Sequence, residues 1–455
     1  MAQKIGASFR DPNGFITEHQ GEFLRVVQPS YAANYDLLLG SGLYDSLVKR
    51  GLLIPHEEIQ RGTAFPDAYK LLKPQQLSFI SYPYEWCFSQ LKDAALATLE
   101  IQKLAIAHGM NLKDATAYNI QFVEGRPLLI DTLSFEKLEA KPWIAYGQFC
   151  RHFLAPLALM SYRDVRLSQL LRVHLDGIPL ELASKLLPTR SRLKLWLLIH
   201  LHLHSASERK LGDKRLDRSA QQKYSIKSLE GLIQSLGTAI ETLRWEPPKN
   251  VWGNYYEETV TPGKYVGHKK EIVSQFLQSA KPAVVWDLGA NTGLFSRLAA
   301  ENGSSVLSFD GDPDCVEINY LEARKKNEKR ILPLLMDLVN PSPALGWDNS
   351  ERMRWLERHT PDLTIALALI HHLAIGNNLP WQQLVEFFHK ISPRLIIEFV
   401  PKNDPNAQKL LRVREDIFTD YTREKFEEAF SERFEIEAAA AVEDSERKVY
   451  LMRRL

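Results

Sequence analysis

The chain has 455 residues, 45% of them hydrophobic and 25% charged, with a formal net charge of +1, the profile of an ordinary globular protein long enough for two domains. A charge that small sets up no global field to recruit nucleic acid or an anionic membrane. Cys87, Cys150 and Cys315 stand far apart with no C-x-x-C, which argues against a zinc knuckle or disulfide framework and fits reduced thiols in a cytoplasmic protein.

Met1 to Arg10 lacks a basic start followed by an apolar core, so no signal peptide is expected. The most apolar stretch, 193–203, is broken by Lys194, His200 and His202 and is too short to span a bilayer. Residues 14–17 and 22–27 flank a polar His19-Gln20-Gly21 turn and predict a small hairpin. Helical spacing of Leu37, Leu38, Tyr44, Leu47 and Val48 predicts a helix over 31–49. Leu77-Ser78-Phe79-Ile80 reads as a strand ended by Pro83. Residues 88–108, with Leu91, Ala95, Leu99 and Leu104 among charges, read as a long amphipathic helix.

After that helix come Asp114, four residues, Asn119, an apolar strand, the Gly125-Arg126 turn, a second apolar strand and Asp131. This order resembles the catalytic loop of kinase-like phosphotransferases. The resemblance implies that Asp114 orients a hydroxyl and that Asn119 and Asp131 hold magnesium, with Mg-ATP as the cofactor, because magnesium takes hard oxygen ligands. Departures accompany it: Leu112-Lys113 stand where His or Arg is usual, Thr132-Leu133 follow Asp131, and no glycine-rich phosphate loop or V-A-I-K-like lysine precedes it. Arg25 and Lys70 are poor stand-ins for that lysine. Without the resemblance, Asp114 and Asn119 cap a turn and Asp131 ends a strand.

Residues 142–246 read as mostly helical, with Pro156 kinking an apolar helix over 143–162 and further helices over 173–187, 192–204 and 229–242. His200, His202 and His204 come without H-E-x-x-H or a nearby carboxylate, so they read as helix residues rather than a metal site. The charge-dense 208–218 reads as an exposed connection. Trp245-Glu246-Pro247-Pro248-Lys249 ends the first domain, 1–246, and opens a linker and aromatic strap over 247–264. Lys269 and Lys270, and the cations of 324–330, read as solvated surface.

Strand and helix patterns then alternate from 283 to 399, including an expected helix over 351–358, and a hairpin closes the chain over 434–442 and 448–453. Near-continuous apolar strands between amphipathic helices argue for a parallel sheet covered on both faces. An apolar run ends in Asp287-Leu288-Gly289-Ala290-Asn291-Thr292-Gly293, a glycine-punctuated turn that feeds a helix; the next strand ends in Asp310. No G-K-[ST] follows, so a Walker loop is excluded. These motifs, with Phe309-Asp310-Gly311-Asp312-Pro313, Met336-Asp337-Leu338 and the strand Thr364 to Ile370 running into His371-His372-Leu373, resemble class I S-adenosylmethionine-dependent methyltransferases over about 265–455.

That resemblance implies a Rossmann-like α/β domain following an α+β, mostly helical kinase-like one that presents substrate or partner. It implies S-adenosyl-L-methionine as cofactor, its methionine part held by Asp287 and the loop Gly289, Ala290, Asn291 and Gly293. It implies the ribose on Asp310 and the adenine amine beside Asp337, with Gly311, Asp312, Leu338 and Ala368 as further cofactor-binding residues. Residues past the strand ends, His371, His372 and Glu398, are the candidates for acceptor contact or general base. The acceptor (small molecule, glycan or protein), the atom methylated and the oligomeric state stay open. So do two alternatives, an active Mg-ATP phosphotransferase in the first half and a protein that binds S-adenosylmethionine without turning it over.

Overall fold

The computed structural model describes residues 4–60, 65–205, 225–248, 262–412 and 414–455. The chain forms two compact units, one of residues 1–246 with 343–353, the other of 247–342 with 354–455. The charge-dense 208–218 and the aromatic strap before residue 262 lie outside the described residues.

In the first unit, β1 (Gly14–His19) and β2 (Glu22–Val27) form the expected hairpin around Gln20 and Gly21, both at positive φ, the backbone that matches strand twist in a two-residue turn. β3 (His56–Ile59) and β4 (Lys70–Pro74) complete an antiparallel sheet in the order β1-β2-β4-β3. The strand expected at 77–80 is absent: Leu71 and Leu72 supply the buried pair, while Phe79 is buried from a loop bounded by Pro74 and Pro83. The helix expected over 31–49 is two, Ala32–Gly40 and Leu43–Lys49, because Gly42 turns left-handed at φ 76.

Helix Phe88–Ala107 leads into β5 (Met110–Leu112), which pairs with β8 (Phe135–Lys137). Between them β6 (Ile120–Val123) and β7 (Arg126–Leu129) form a second hairpin. The helix from Tyr146 to Tyr162 widens into a π-turn at Cys150–Leu154, just ahead of Pro156. Proline has no N–H to give and crowds the carbonyl four residues back, and a wider turn relieves both. The helix expected over 173–187 is split by a turn at Gly177, leaving Leu170–Val173 and Leu180–Leu186. His200 is hydrogen-bonded to Tyr146 and Ser235, His202 to Ser184 and Ser191, and His204 stacks on Tyr146. Those imidazoles are spent on packing.

The second unit is a seven-stranded sheet in the order β11-β10-β9-β12-β13-β15-β14. Its strands are β9 (Val284–Leu288), β10 (Ser305–Asp310), β11 (Ile331–Leu335), β12 (Leu363–Ala366), β13 (Arg394–Phe399), β14 (Phe434–Ala441) and β15 (Lys448–Arg454). β9 to β13 run parallel, and β15 is antiparallel to both β13 and β14. The chain builds outward from β9 to β11, then returns to the other side of β9 with β12. That reversal opens a crevice beyond the carboxyl ends of β9 and β12.

The helix expected at 351–358 is replaced by a short 3-10 turn, Trp355–Glu357, after 343–353 has joined the first unit. Pro341, Pro343 and Gly346 punctuate this stretch, and an antiparallel bridge from Leu345 to Arg352 folds it back on itself. Trp355 is 1% exposed and stacks on Trp286 of β9 at 5.0 Å, with Phe309 of β10 at 5.3 Å. Truncation there leaves a large void under the sheet, so Trp355→Ala is expected to cost about 3–5 kcal/mol, read from the denaturant midpoint of the full chain.

Candidate functional site

Three consecutive strand ends meet at the crevice. β9 carries Asp287 one residue before its end, and the turn after it takes Gly289, Asn291 and Gly293 through positive φ. The amides of Gly289 and Ala290 bond back to the Phe309 carbonyl at 2.9 and 3.0 Å, fastening the bend to β10. At the tip of β10, Asp310 accepts the Asn291 amide on one carboxylate oxygen at 2.7 Å and the Asp312 amide on the other at 2.8 Å. Asp312 caps the following helix by accepting the Asp314 amide. Asp337, past β11, accepts the Val339 amide at 2.9 Å.

These residues wall a cavity of about 510 Å³, within the range of small-ligand sites. Asp287, Gly289, Ala290, Asn291, Asp310, Gly311, Asp312, Asp337, Leu338 and Ala368 line it. Gly293 does not. It sits behind the wall, where a Cβ would overlap the Asn319 and Arg297 side chains, so its role is close helix packing. Burial, offset partly by the Ser296 hydroxyl and reinforced by Asp310, pushes the Asp287 carboxyl up to about 7. Burial also pushes Asp310 up to about 6 against the pull of its two amide donors.

The three candidates past the strand ends separate. His372 lines the cavity. His371 is 0% exposed, with neither ring nitrogen hydrogen-bonded, and its ring lies 4.2 Å from that of His372. Glu398, also 0% exposed, spends its carboxylate within the fold. It accepts the Lys269 ammonium at 2.6 Å, the Ala368 amide at 2.6 Å and the Tyr265 hydroxyl at 3.2 Å, with Arg447 at 3.6 Å. Burial raises Glu398, but Lys269 and Arg447 outweigh it and hold the carboxyl below its usual range. Ala368 sits at φ 48, a conformation that alanine rarely adopts, so Glu398 fixes a strained bend in the cavity wall.

Lys269 was expected on the surface and is 4% exposed instead, lining the cavity next to Asp287. Its helix carries Tyr265, Lys269, Ile272, Val273 and Phe276 at helical spacing, and Ile272, Val273 and Phe276 are core residues. That periodicity was the available signal that Lys269 faces inward.

In the first unit, Asp114, Asn119 and Asp131 share a neighbourhood. Asp114 accepts the Thr116 amide at 3.2 Å and the Gln148 side chain at 2.7 Å, and burial together with the field of Asp131 raises its carboxyl. Asn119 donates to Ser134 at 3.3 Å, and Ser134 donates to Asp131 at 2.5 Å. Arg25 on β2 forms an ion pair with Asp131 at 2.9 Å, at 12% and 13% exposure. The carboxylate expected on magnesium is thus matched by a fixed guanidinium. Among the described residues no cluster of three or more His, Cys, Asp or Glu is disposed to hold a metal. None of this identifies the unit as a phosphotransferase.

No protein-family model matches the chain. It is 34% identical over 470 residues to the nodulation protein NoeA of Rhizobium meliloti (strain 1021), an alignment covering 99% of this chain and 96% of that protein. Among solved structures, the N-methyltransferase NodS from Bradyrhizobium japonicum WM9 matches 42% of this chain and 97% of its own, at 12% identity and a TM-score of 0.32. Magnesium protoporphyrin IX methyltransferase (ChlM) from Synechocystis PCC 6803, solved with bound SAH, matches 43% and 88%, at 14% identity and a TM-score of 0.31.

Removing one partner of a buried ion pair strands the other, so Lys269→Met is expected to destabilise the chain by about 3–5 kcal/mol. The double variant Lys269→Met/Glu398→Gln recovers part of that loss. Denaturant titration of the single and double variants measures both.

Proposed function

The chain belongs to the family of the nodulation protein NoeA, and we propose that its second unit is an S-adenosylmethionine-dependent methyltransferase domain. The observation that carries this reading is convergence: acids and glycine-turn residues from the ends of β9, β10 and β11 line one cavity at the point where strand order reverses.

The lining fits the cofactor part by part. Asp287 and Lys269 offer opposite charges to a zwitterionic amino-acid end. Asp310 is pinned by two amides, and its remaining lone pairs can accept both hydroxyls of a ribose. Met336, Leu338 and Leu369 give apolar surface for a base, with Asp337 beside them. When bound, the cofactor supplies a methyl group activated by a sulfonium. The chain's task is then to align a nucleophile and, for an oxygen acceptor, to take its proton. His372 is our candidate base. Burial and then Arg447 lower its pKa, so it stays neutral near pH 7 and can accept a proton. His371 and Glu398, held inside the fold, act as support. The acceptor class remains a small molecule, glycan or protein.

Asp310 must be ionised to accept two hydroxyls, and Asp287 must be ionised to pair with an ammonium. Their raised pKa values of about 6 and about 7 mean that binding releases protons. Affinity for S-adenosylmethionine, measured by titration calorimetry, is expected to rise with pH across that window and level off above it; affinity that grows on acidification contradicts the assignment. Asp310→Asn is expected to weaken binding by about 10- to 100-fold. His372→Gln is expected to leave cofactor affinity within a few-fold and to lower conversion to S-adenosylhomocysteine, in the presence of a cell extract, by at least about 100-fold. Tight cofactor binding by the wild type without such conversion favours a binding protein instead.

A further inference from the structure

One helix of the first unit has its amphipathic order reversed. It begins at Leu195 and widens into a π-turn over Leu198–Leu203. A surface helix ordinarily turns its apolar side chains inward and its polar ones toward water. Here His200 and His202 are buried with Leu197 and Leu201, and their rings are hydrogen-bonded to Tyr146 and Ser235 and to Ser184 and Ser191. Leu195, Ile199 and Leu203, four residues apart and so on one face, stand 69%, 42% and 54% exposed. Leu193, just ahead of them, is 85% exposed.

This apolar face is held open by the fold. The bond between His202 and Ser191 at 2.9 Å ties the turn Thr189–Leu193 to the helix, and the buried Leu197 and Leu201 fix which side looks out. Apolar residues scattered singly on a surface signify little, but a run of four displayed by a fixed scaffold marks a contact surface.

Charge decides what that surface meets. From Leu182 to Ser207 the sequence has no Asp or Glu, yet it contains Lys185, Arg190, Arg192 and Lys194. Lys185 is matched by Glu181 at 2.8 Å. Arg190, Arg192 and Lys194 are exposed and have no carboxylate partner among the described residues; Arg190 lies over the Tyr162 ring at 6.0 Å. The stretch that follows in sequence, 208–218, adds five Lys or Arg against three acids. A net charge of +1 for the whole chain conceals this local concentration. Trp196, partly buried among the leucines, is the ring type that favours a membrane–water interface.

We propose that this face docks on the surface of an anionic lipid bilayer, with Leu193, Leu195, Ile199 and Leu203 entering the boundary between headgroups and acyl chains and Arg190, Arg192 and Lys194 resting on lipid phosphates. A bilayer offers an apolar layer directly beneath an anionic one. That arrangement suits cations and leucines that alternate along one short segment with no acid among them. The segment is too short to cross the bilayer, so the contact is made from one side. The proposal does not depend on the methyltransferase reading.

Sedimentation of the full chain with vesicles of phosphatidylcholine, alone or mixed with phosphatidylglycerol, is the test. Binding to the mixed vesicles is expected, weaker on phosphatidylcholine alone and falling as salt rises. Leu193→Gln/Leu195→Gln is expected to weaken it about 10- to 100-fold, and Arg192→Gln/Lys194→Gln about fivefold for each charge removed. All four positions are exposed, so both variants are expected to melt with the wild type. Lys325→Gln, on an exposed helix end of the other unit, is expected to bind as the wild type does. No binding to mixed vesicles, equal binding to the two compositions, or equal binding by the wild type and both variants overturns the proposal. So does a wild-type chain that leaves vesicles alone but dimerises through these leucines in sedimentation equilibrium, which assigns the face to a second copy.

Discussion

The second unit turns on one carboxylate held by two backbone amides. Asp310 takes the Asn291 amide from the bend after β9 and the Asp312 amide from its own strand end. It therefore locks two neighbouring loops into one wall. Because both donors are main-chain groups, the geometry survives changes of side chain around it. It is also oriented before any ligand arrives, so binding does not have to order it. Burial raises Asp310 in exchange, the electrostatic cost of keeping an acid ready in a cavity.

Behind that wall lies a different device. Lys269, Glu398 and Arg447 form a buried charge group, and Arg447 reaches on to Asp404 with two hydrogen bonds at 2.7 and 2.9 Å. Desolvating so many charges is expensive unless each is matched, and here each one has an opposite partner. The visible consequence is the Ala368 bend, fixed by the Glu398 carboxylate at the edge of the cavity. A charge group built this way gives shape to the wall more than it adds stability.

The sequence was most legible where local chain geometry decides the outcome. The glycine-punctuated bend, the acids at the ends of β9 and β10 and the closing hairpin depend on residues close in sequence, and the structure brings the bend and the acids to one cavity. Gly293 was the exception, since its packing against Asn319 involves another helix. Lys269 was misread because two adjacent lysines resemble a surface run, although the helical spacing of its apolar neighbours pointed inward. His371 and His372 are chain neighbours at the start of a widened turn, one fully buried and the other lining the cavity, and no sequence pattern distinguishes them. In the first unit the hairpin between Asn119 and Asp131 was legible, but the Arg25–Asp131 pair needed the fold. The 343–353 stretch, read as leading into an ordinary crossover helix, was invisible for the same reason.

The central claim is that Asp310 receives the ribose of a cofactor whose amino-acid end rests between Asp287 and Lys269. A crystal structure of the full chain with S-adenosylhomocysteine tests it most directly. The account predicts both ribose hydroxyls within hydrogen-bonding distance of the Asp310 carboxylate and the ligand ammonium on Asp287. A ligand seated elsewhere, or one whose ribose faces away from Asp310, contradicts it.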